Sequence, residues 1–307
     1  MKEASKLASA RMTRDRSELV NLLAALAKSE GFLPTSLPDV RLLHSRGKHP
    51  SRPIVYEPSI VIVAQGSKRG LMGNRTFVYD AENYLVLSLP LPFECQTTGT
   101  PEKPMLAICI RVSPLVVADL LLESDPPMRS NAELPRSIDA TPVTPDLLDA
   151  AVRLARCLNS PPEDRVLGPQ LIREIIYRAL CGKRGDALRA IATPQSTVSQ
   201  IARSLRRIHL DFAQPLTVDD LAREASMSIS TFHANFKAVT TKPPQRYLQT
   251  IRLHKAQAII AGGTSVAEAA RQVGYESPSQ FSREFKRLFG GTPKEVGLRY
   301  RSLMFAF

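Results

Sequence analysis

Between Leu216 and Lys286 the chain writes one pattern twice. Thr217-Val218-Asp219-Asp220-Leu221-Ala222-Arg223-Glu224-Ala225-Ser226 is followed 48 residues later by Ser265-Val266-Ala267-Glu268-Ala269-Ala270-Arg271-Gln272-Val273-Gly274. Each copy opens on a hydroxyl residue with an acid three positions on, the signature of a capped helix start. Ala222 and Ala270 lie mid-helix, and Ser226 and Gly274 stand at the stop, so a second helix can cross closely. That helix carries Phe232, Phe236 and Lys237 in one copy and Phe281, Phe285 and Lys286 in the other. The offset grows from 48 to 49 between the two halves, which puts the inserted residue in the turn. A short helix, a turn and an amphipathic second helix make a helix-turn-helix, whose second helix can enter the major groove of DNA. The two units span 217–237 and 265–286.

Phe232/Phe236 and Phe281/Phe285 are spaced i, i+4 and share one helix face, so they are expected to pack inward rather than to stack on bases. The opposite face then holds the base-reading candidates Ser230, His233, Ala234, Ser279, Ser282 and Arg283. Arg283 is the strongest, because an arginine can grip guanine O6 and N7 together. The first helix offers His233 as its one strong polar reader, which points to more shape-dependent readout there. Thr217, Arg206, Lys237, Ser265 and Lys286 are the phosphate candidates.

The double repeat, the run Gly274-Tyr275-Glu276-Ser277-Pro278-Ser279-Gln280-Phe281-Ser282-Arg283-Glu284-Phe285-Lys286-Arg287-Leu288-Phe289-Gly290 and the following Thr292-Pro293 closely resemble the DNA-binding domain of the AraC/XylS family of bacterial transcription regulators. The resemblance covers about a hundred residues, and more loosely extends to the ligand-sensing N-terminal domain of one branch of the family. It implies a DNA-binding domain with two recognition helices on a rigid linker helix, an activator with RNA polymerase as partner, and a small-molecule effector.

Charge agrees with a polyanionic partner. Of the net +12, residues 191–307 hold 16 Lys+Arg against 8 Asp+Glu, whereas the first 190 hold 25 against 21. A basic surface attracts phosphate and releases counterions. Cys95, Cys109, Cys157 and Cys181 show neither CxxC pairing nor metal spacing and read as reduced thiols of a cytoplasmic protein. The basic N-terminus superficially suggests a signal peptide, but Asp15, Glu18 and Asn21 interrupt it. Leu19, Leu22, Leu23 and Leu26 instead predict an amphipathic lead-in helix ended by Gly31, and no segment spans a membrane.

From Phe32 to Val112 the texture turns to short β runs: Ser59 to Ala64, Lys68 to Met72, Arg75 to Tyr79, Tyr84 to Ser88 and Met105 to Val112. Gly73-Asn74 suits a tight hairpin, and the spacing suggests a small barrel or jelly roll; a cupin-like barrel fits, and the family resemblance implies the same. His44 and His49 fall before the barrel core and His209, His233 and His254 in the region approaching or binding DNA. The barrel therefore offers no histidine cluster for iron or zinc, and neither a metal, a cofactor nor an enzyme is expected. Barrel mouths favour ligands, and Gln65, Arg69, Tyr79, Tyr84 and Glu94 are the polar candidates for an effector.

Ser113-Pro114 starts a helix to Leu122, a proline-rich loop runs from Asp125 to Pro145, and helices follow over Pro145 to Leu158 and Gly168 to Leu180, with apolar stripes broad enough for a homodimer contact. Gly182, Gly185 and Pro194 suggest an interdomain linker, and a helix near Ser196 exposes Arg203, Arg206 and Arg207. Pro243-Pro244 starts a rod to Ala261. The expected fold is α+β: a lead-in helix (1–31), a cupin-like sensing barrel (32–124), helices (125–181), a linker (182–195) and an all-α domain with two helix-turn-helix units (196–307). The competing readings are a cupin-type enzyme carrying a DNA-binding domain, and an architectural DNA binder without sequence preference.

Overall fold

The computed structural model describes residues 2–124 and 134–301. Helix α1 (Lys2–Leu26) leads into nine strands: β1 (Gly31–Pro34), β2 (Val40–Ser45), β3 (His49–Val55), β4 (Ser59–Gln65), β5 (Ser67–Met72), β6 (Arg75–Asp80), β7 (Asn83–Leu87), β8 (Pro92–Thr98) and β9 (Met105–Arg111). After helix α2 (Pro114–Glu123) comes β10 (Ile138–Pro142). The strands form two antiparallel sheets, ordered β1-β2-β9-β4-β7-β10 and β3-β8-β5-β6, which face each other as a cupin-like barrel. Central β4 reads Ser59-Ile60-Val61-Ile62-Val63-Ala64, every residue buried, because both of its faces are covered. Hairpin β5–β6 closes on Gly73-Asn74, with Gly73 at φ 60°, where a β-carbon is disfavoured.

Outside the barrel, α1 places Leu19 and Leu23, both fully buried, between the barrel and α3 (Pro145–Leu158). α4 (Glu163–Cys181) packs on the other side of α3, and α5 (Gly185–Ala192) on α2. Several expectations change here. Gly31 does not end α1, which stops at Leu26. With φ at 106°, it opens β1 instead. The proline-rich stretch, of which 125–133 lie outside the described residues, holds β10, since Ile138 and Thr141 find an open edge beside β7. α4 starts at Glu163, ahead of Gly168, and tolerates Pro169 within its sequence. The expected linker contains α5, whose Ala187, Leu188 and Ile191 are buried. The apolar stripe of α3 is consumed within the chain.

The C-terminal domain is all helical: α6 (Thr197–Asp211), α7 (Val218–Glu224), α8 (Ile229–Thr240), α9 (Pro244–Ala261), α10 (Val266–Gln272), α11 (Pro278–Phe289) and α12 (Pro293–Arg301). Ser196 caps α6 by accepting from Ser199 N. At 1.5 Å per residue, the 18 residues of α9 make a rod about 27 Å long. Two apolar cores hold the protein. The first runs without a break from the barrel through α6 to Leu221, Phe232, Phe236 and Tyr247. The second is separate, built on Leu253, Ala256, Ala270, Phe281 and Phe285. The first helix-turn-helix thus shares its core with the barrel, and the second has its own.

Candidate functional site

The repeat folds as two helix-turn-helix units, α7–α8 and α10–α11. Thr217 makes a complete capping box with Asp220: its hydroxyl accepts from the Asp220 N–H at 3.1 Å, and its own N–H donates to the Asp220 carboxylate at 3.1 Å. In the second copy Ser265 accepts from Glu268 N at 3.3 Å, but the Glu268 carboxylate turns to Arg271 and Gln272, so that box is half made. Both turns use a left-handed residue, Ser226 at φ 56° and Gly274 at φ 80°, and the additional residue of the second copy lies between α10 and α11. A β-carbon on Gly274 would meet the Ala213 carbonyl oxygen at 2.5 Å, so glycine is required there by contact as well as by φ. Arg252 of α9 stitches the domain together, donating to the carbonyls of Phe212 (2.7 Å), Gln214 (2.9 Å) and Gly274 (3.2 Å).

Phe232, Phe236, Phe281 and Phe285 are fully buried. Ser230, His233, Ala234, Ser279, Ser282 and Arg283 are all exposed on the outer faces of α8 and α11. Ser230 and Ser279 lie within hydrogen-bond distance of the capping hydroxyls of Ser228 (3.3 Å) and Ser277 (3.0 Å). Among the phosphate candidates, Arg206, Lys237 and Lys286 are exposed, while the Thr217 and Ser265 hydroxyls are occupied as caps. Arg203, expected to be available to phosphates, instead donates to the carbonyls of Glu224 and Ala225 and closes the end of α7. Arg207 pairs with Asp211 at 2.7 Å.

A second feature lies where the domains meet. α9 packs on β3 and β8, and Tyr247 of α9 donates to the Pro90 carbonyl of the barrel and contacts His209 Nε2 at 2.9 Å. Between the barrel and α9 opens a cavity of about 420 Å³, lined by strand residues such as Leu43, Arg52, Ile54, Tyr56, Val61 and Lys68, and by His209, Ile251, His254, Lys255 and Ala258 from the helical domain. Lys68 is buried. It donates to Tyr56 Oη at 2.7 Å and sits 5.4 Å from the ring centroids of both Tyr56 and Phe32. Burial pushes its ammonium below the usual lysine range, with Arg52 adding to the effect. Among the described residues neither Lys68 nor Arg52 has an ion-pair partner, whereas the rim acids Asp39 and Glu57 both pair with Arg111. Such a site, cationic within and aromatic at its walls, matches an anion with an apolar body.

None of the five effector candidates lines this cavity. Arg69 and Glu94 face outward, alternating with inward Lys68 and with Phe93 and Cys95. Tyr79 is wholly buried with Oη 3.4 Å from Cys95 Sγ, Tyr84 lies near Gly182 with its phenol raised to about 12 by burial, and Gln65 donates to the Pro104 carbonyl. On β5 the sequence singled out Arg69, which faces outward, and not its inward neighbour Lys68. The available signal was Gly70, which faces Phe77 across the hairpin so closely that a β-carbon would fall 2.2 Å from its ring. That places Lys68 and Met72 inside with it. His44 and His49, expected ahead of the barrel, lie on β2 and β3 and line the cavity, as do His209 and His254, but no group of three His, Cys, Asp or Glu among the described residues is arranged to hold a metal. Cys95 and Cys109 are also at the wall, and burial raises the Cys109 thiol to about 12. No helix of the described residues is long and apolar enough to cross a membrane.

This geometry defines an α+β protein, a cupin-like barrel joined to a tandem helix-turn-helix domain. Residues 36–187 match the model of the AraC-type transcriptional regulator N-terminus and residues 221–299 that of a helix-turn-helix domain. The chain belongs to the AraC/XylS family of transcription regulators. It is 35% identical over 96 residues to the transcriptional regulator AlkR of Acinetobacter baylyi, covering 31% of each chain. It is 30% identical over 103 residues to the transcriptional activator RhaS of Escherichia coli, covering 33% of this chain and 37% of that one. The chain thus spans about a third of the length of these relatives. Among solved structures, ToxT of Vibrio cholerae with bound unsaturated fatty acid matches at TM-score 0.56 and 12% identity over 84% of this chain and 94% of that one, which shows a shared two-domain fold.

Proposed function

We propose that this chain is a sequence-specific DNA-binding transcription regulator, an activator, whose two recognition helices read successive major grooves under the control of an organic anion bound between the domains. The observation that carries the proposal is that α9 is both the rod joining the two readers and one wall of the cavity. A ligand touching that wall has a different affinity for arrangements that place the readers differently, which is what shifting their population requires. Buried Lys68 supplies the anchor for a carboxylate, and the aromatic and aliphatic wall takes an apolar tail. ToxT, with the same fold, is described as binding an unsaturated fatty acid.

In this reading Arg283 is the principal base reader, Ser230, His233, Ala234, Ser279 and Ser282 complete the outer faces, and Arg206, Lys237 and Lys286 meet phosphates. The partners are double-stranded promoter DNA, RNA polymerase and a second copy of the chain, the last through the start of α4, where Val166 and Leu167 are exposed. The protein acts in the cytoplasm and without catalysis of its own, as a regulator like its matched relatives. Footprinting of the purified full-length protein across its source genome at roughly physiological salt tests the central part. Discrete sites covering two major-groove turns are expected. Diffuse protection on all sequences contradicts sequence-specific regulation and favours an architectural binder.

A further inference from the structure

Two cavity histidines each begin a file of aromatic rings that runs beneath a recognition helix. His209 lies against Tyr247 (centroids 6.0 Å), Tyr247 against Phe236 (5.5 Å) and Phe236 against Phe232 (5.2 Å), the inner face of α8. His254 meets Phe289 edge-on (5.1 Å), Phe289 meets Phe285 (4.5 Å) and Phe285 meets Phe281 (5.5 Å), the inner face of α11. The two files differ at their cavity ends. His209 Nε2 is engaged with Tyr247, which is itself held by Pro90 of the barrel. His254 Nε2 is shut off from solvent and has no protein hydrogen-bond partner among the described residues, although the side chain lines the cavity. A polar ring nitrogen left unpaired in a buried place is costly unless a ligand group completes it.

We infer that His254 is a ligand-contacting residue of the cavity, which takes a hydrogen-bonding group of the effector at Nε2 and passes occupancy to the second recognition helix through Phe289. This rests on the reading of the cavity as an effector site and adds to it the effector's second polar group. Lys68 stands on the barrel side and His254 on the α9 side, so an elongated ligand, anionic at one end and carrying a hydroxyl or similar group at the other, spans them. The second helix-turn-helix is the responsive unit for a structural reason. Its buried core is distinct from that of the barrel, which it meets only through the partly buried Phe212 and a small contact of α11 with β3, so a change at Phe289 acts first on this unit, whereas α8 is fixed within the large core.

The test compares decanoate with 10-hydroxydecanoate on the full-length protein, by calorimetry and by hydrogen exchange of residues 278–289. Wild type should prefer the hydroxy acid by about fivefold, the size of one net hydrogen bond, and binding should slow exchange in α11 more than in α8. In His254→Leu the preference should disappear while decanoate still binds. In Phe289→Leu the preference should persist and the α11 response should be lost. An unchanged preference in His254→Leu overturns the contact, and an α11 response that survives Phe289→Leu overturns the route. If neither acid binds wild type, the anionic effector reading fails and this inference falls with it. If both bind without preference in wild type, only the inference fails.

Discussion

Separate cores predict that the second helix-turn-helix can be melted without the rest. Phe285 is fully buried, with ring centroids 5.5 Å from Phe281 and 4.5 Å from Phe289. Replacing it with alanine removes a ring and leaves a cavity, a loss of about 3 to 5 kcal/mol in well-packed cores. A whole domain has only about 5 to 15 kcal/mol of stability, and the small cluster around Phe285 has less surface to draw on. Phe285→Ala should therefore unfold α10 to α12 locally. Hydrogen exchange read by mass spectrometry gives the answer: amides of 266–301 should exchange at least about a hundredfold faster, given tenfold per 1.4 kcal/mol, while β4 and β9 stay unchanged. Phe236→Ala removes the same ring from the continuous core, and should speed exchange in α7, α8 and the barrel together. If Phe285→Ala accelerates β4 and β9 in step with α11, the two cores are one cooperative unit and the argument fails.

Other outcomes follow from single residues. Arg283→Ala should lower affinity for a specific site by about 1 to 3 kcal/mol and relax one base preference, whereas Lys237→Ala or Lys286→Ala should weaken all sequences alike and reduce the salt slope by about one, as measured by anisotropy across salt. Equal losses on specific and random DNA would remove Arg283 as a reader. Burial holds His209 down at about 4 and His254 at about 3, with Lys255 adding to the first and Lys242 to the second. Because folded-state values are depressed, the unfolded chain binds more protons between these values and about 6.5. Stability is therefore full above pH 6.5 and falls as pH drops below it, by up to about 2 kcal/mol per histidine at pH 5. Urea denaturation at pH 7.5 and 5.0 should show this loss, and His254→Phe should reduce it. Gly274→Ala, forced to keep φ near 80° against the Ala213 carbonyl, should cost about 1 to 3 kcal/mol and lower the melting temperature of the second unit.

The C-terminal half was legible because its signals are local. Caps at Ser196, Thr217 and Ser265, the Pro244 start and the left-handed stops at Ser226 and Gly274 are all decided by short-range chemistry. The i, i+4 phenylalanine pairs then fix which face points out. The barrel was legible as a class but not as a site. Its β1, β3 and β8 contain Gly31, Pro34, Pro50, Pro53 and Pro92, residues that read as breakers and are tolerated at strand ends and in the edge strand β3. The cavity required knowledge of which helix closes it. His254 read as a residue of a DNA-binding domain, and only the docking of α9 on β3 and β8 makes it line a cavity together with Lys68.

The most direct test of the account is the affinity of the full-length protein for a footprinted site, titrated with decanoate, in wild type and in Lys68→Met. Control through the cavity predicts at least a fivefold change in DNA affinity for wild type and no change for Lys68→Met, with binding in the absence of decanoate alike for both. If decanoate binds wild type by calorimetry and DNA affinity nevertheless stays the same, the cavity does not govern the readers, and the central claim is wrong.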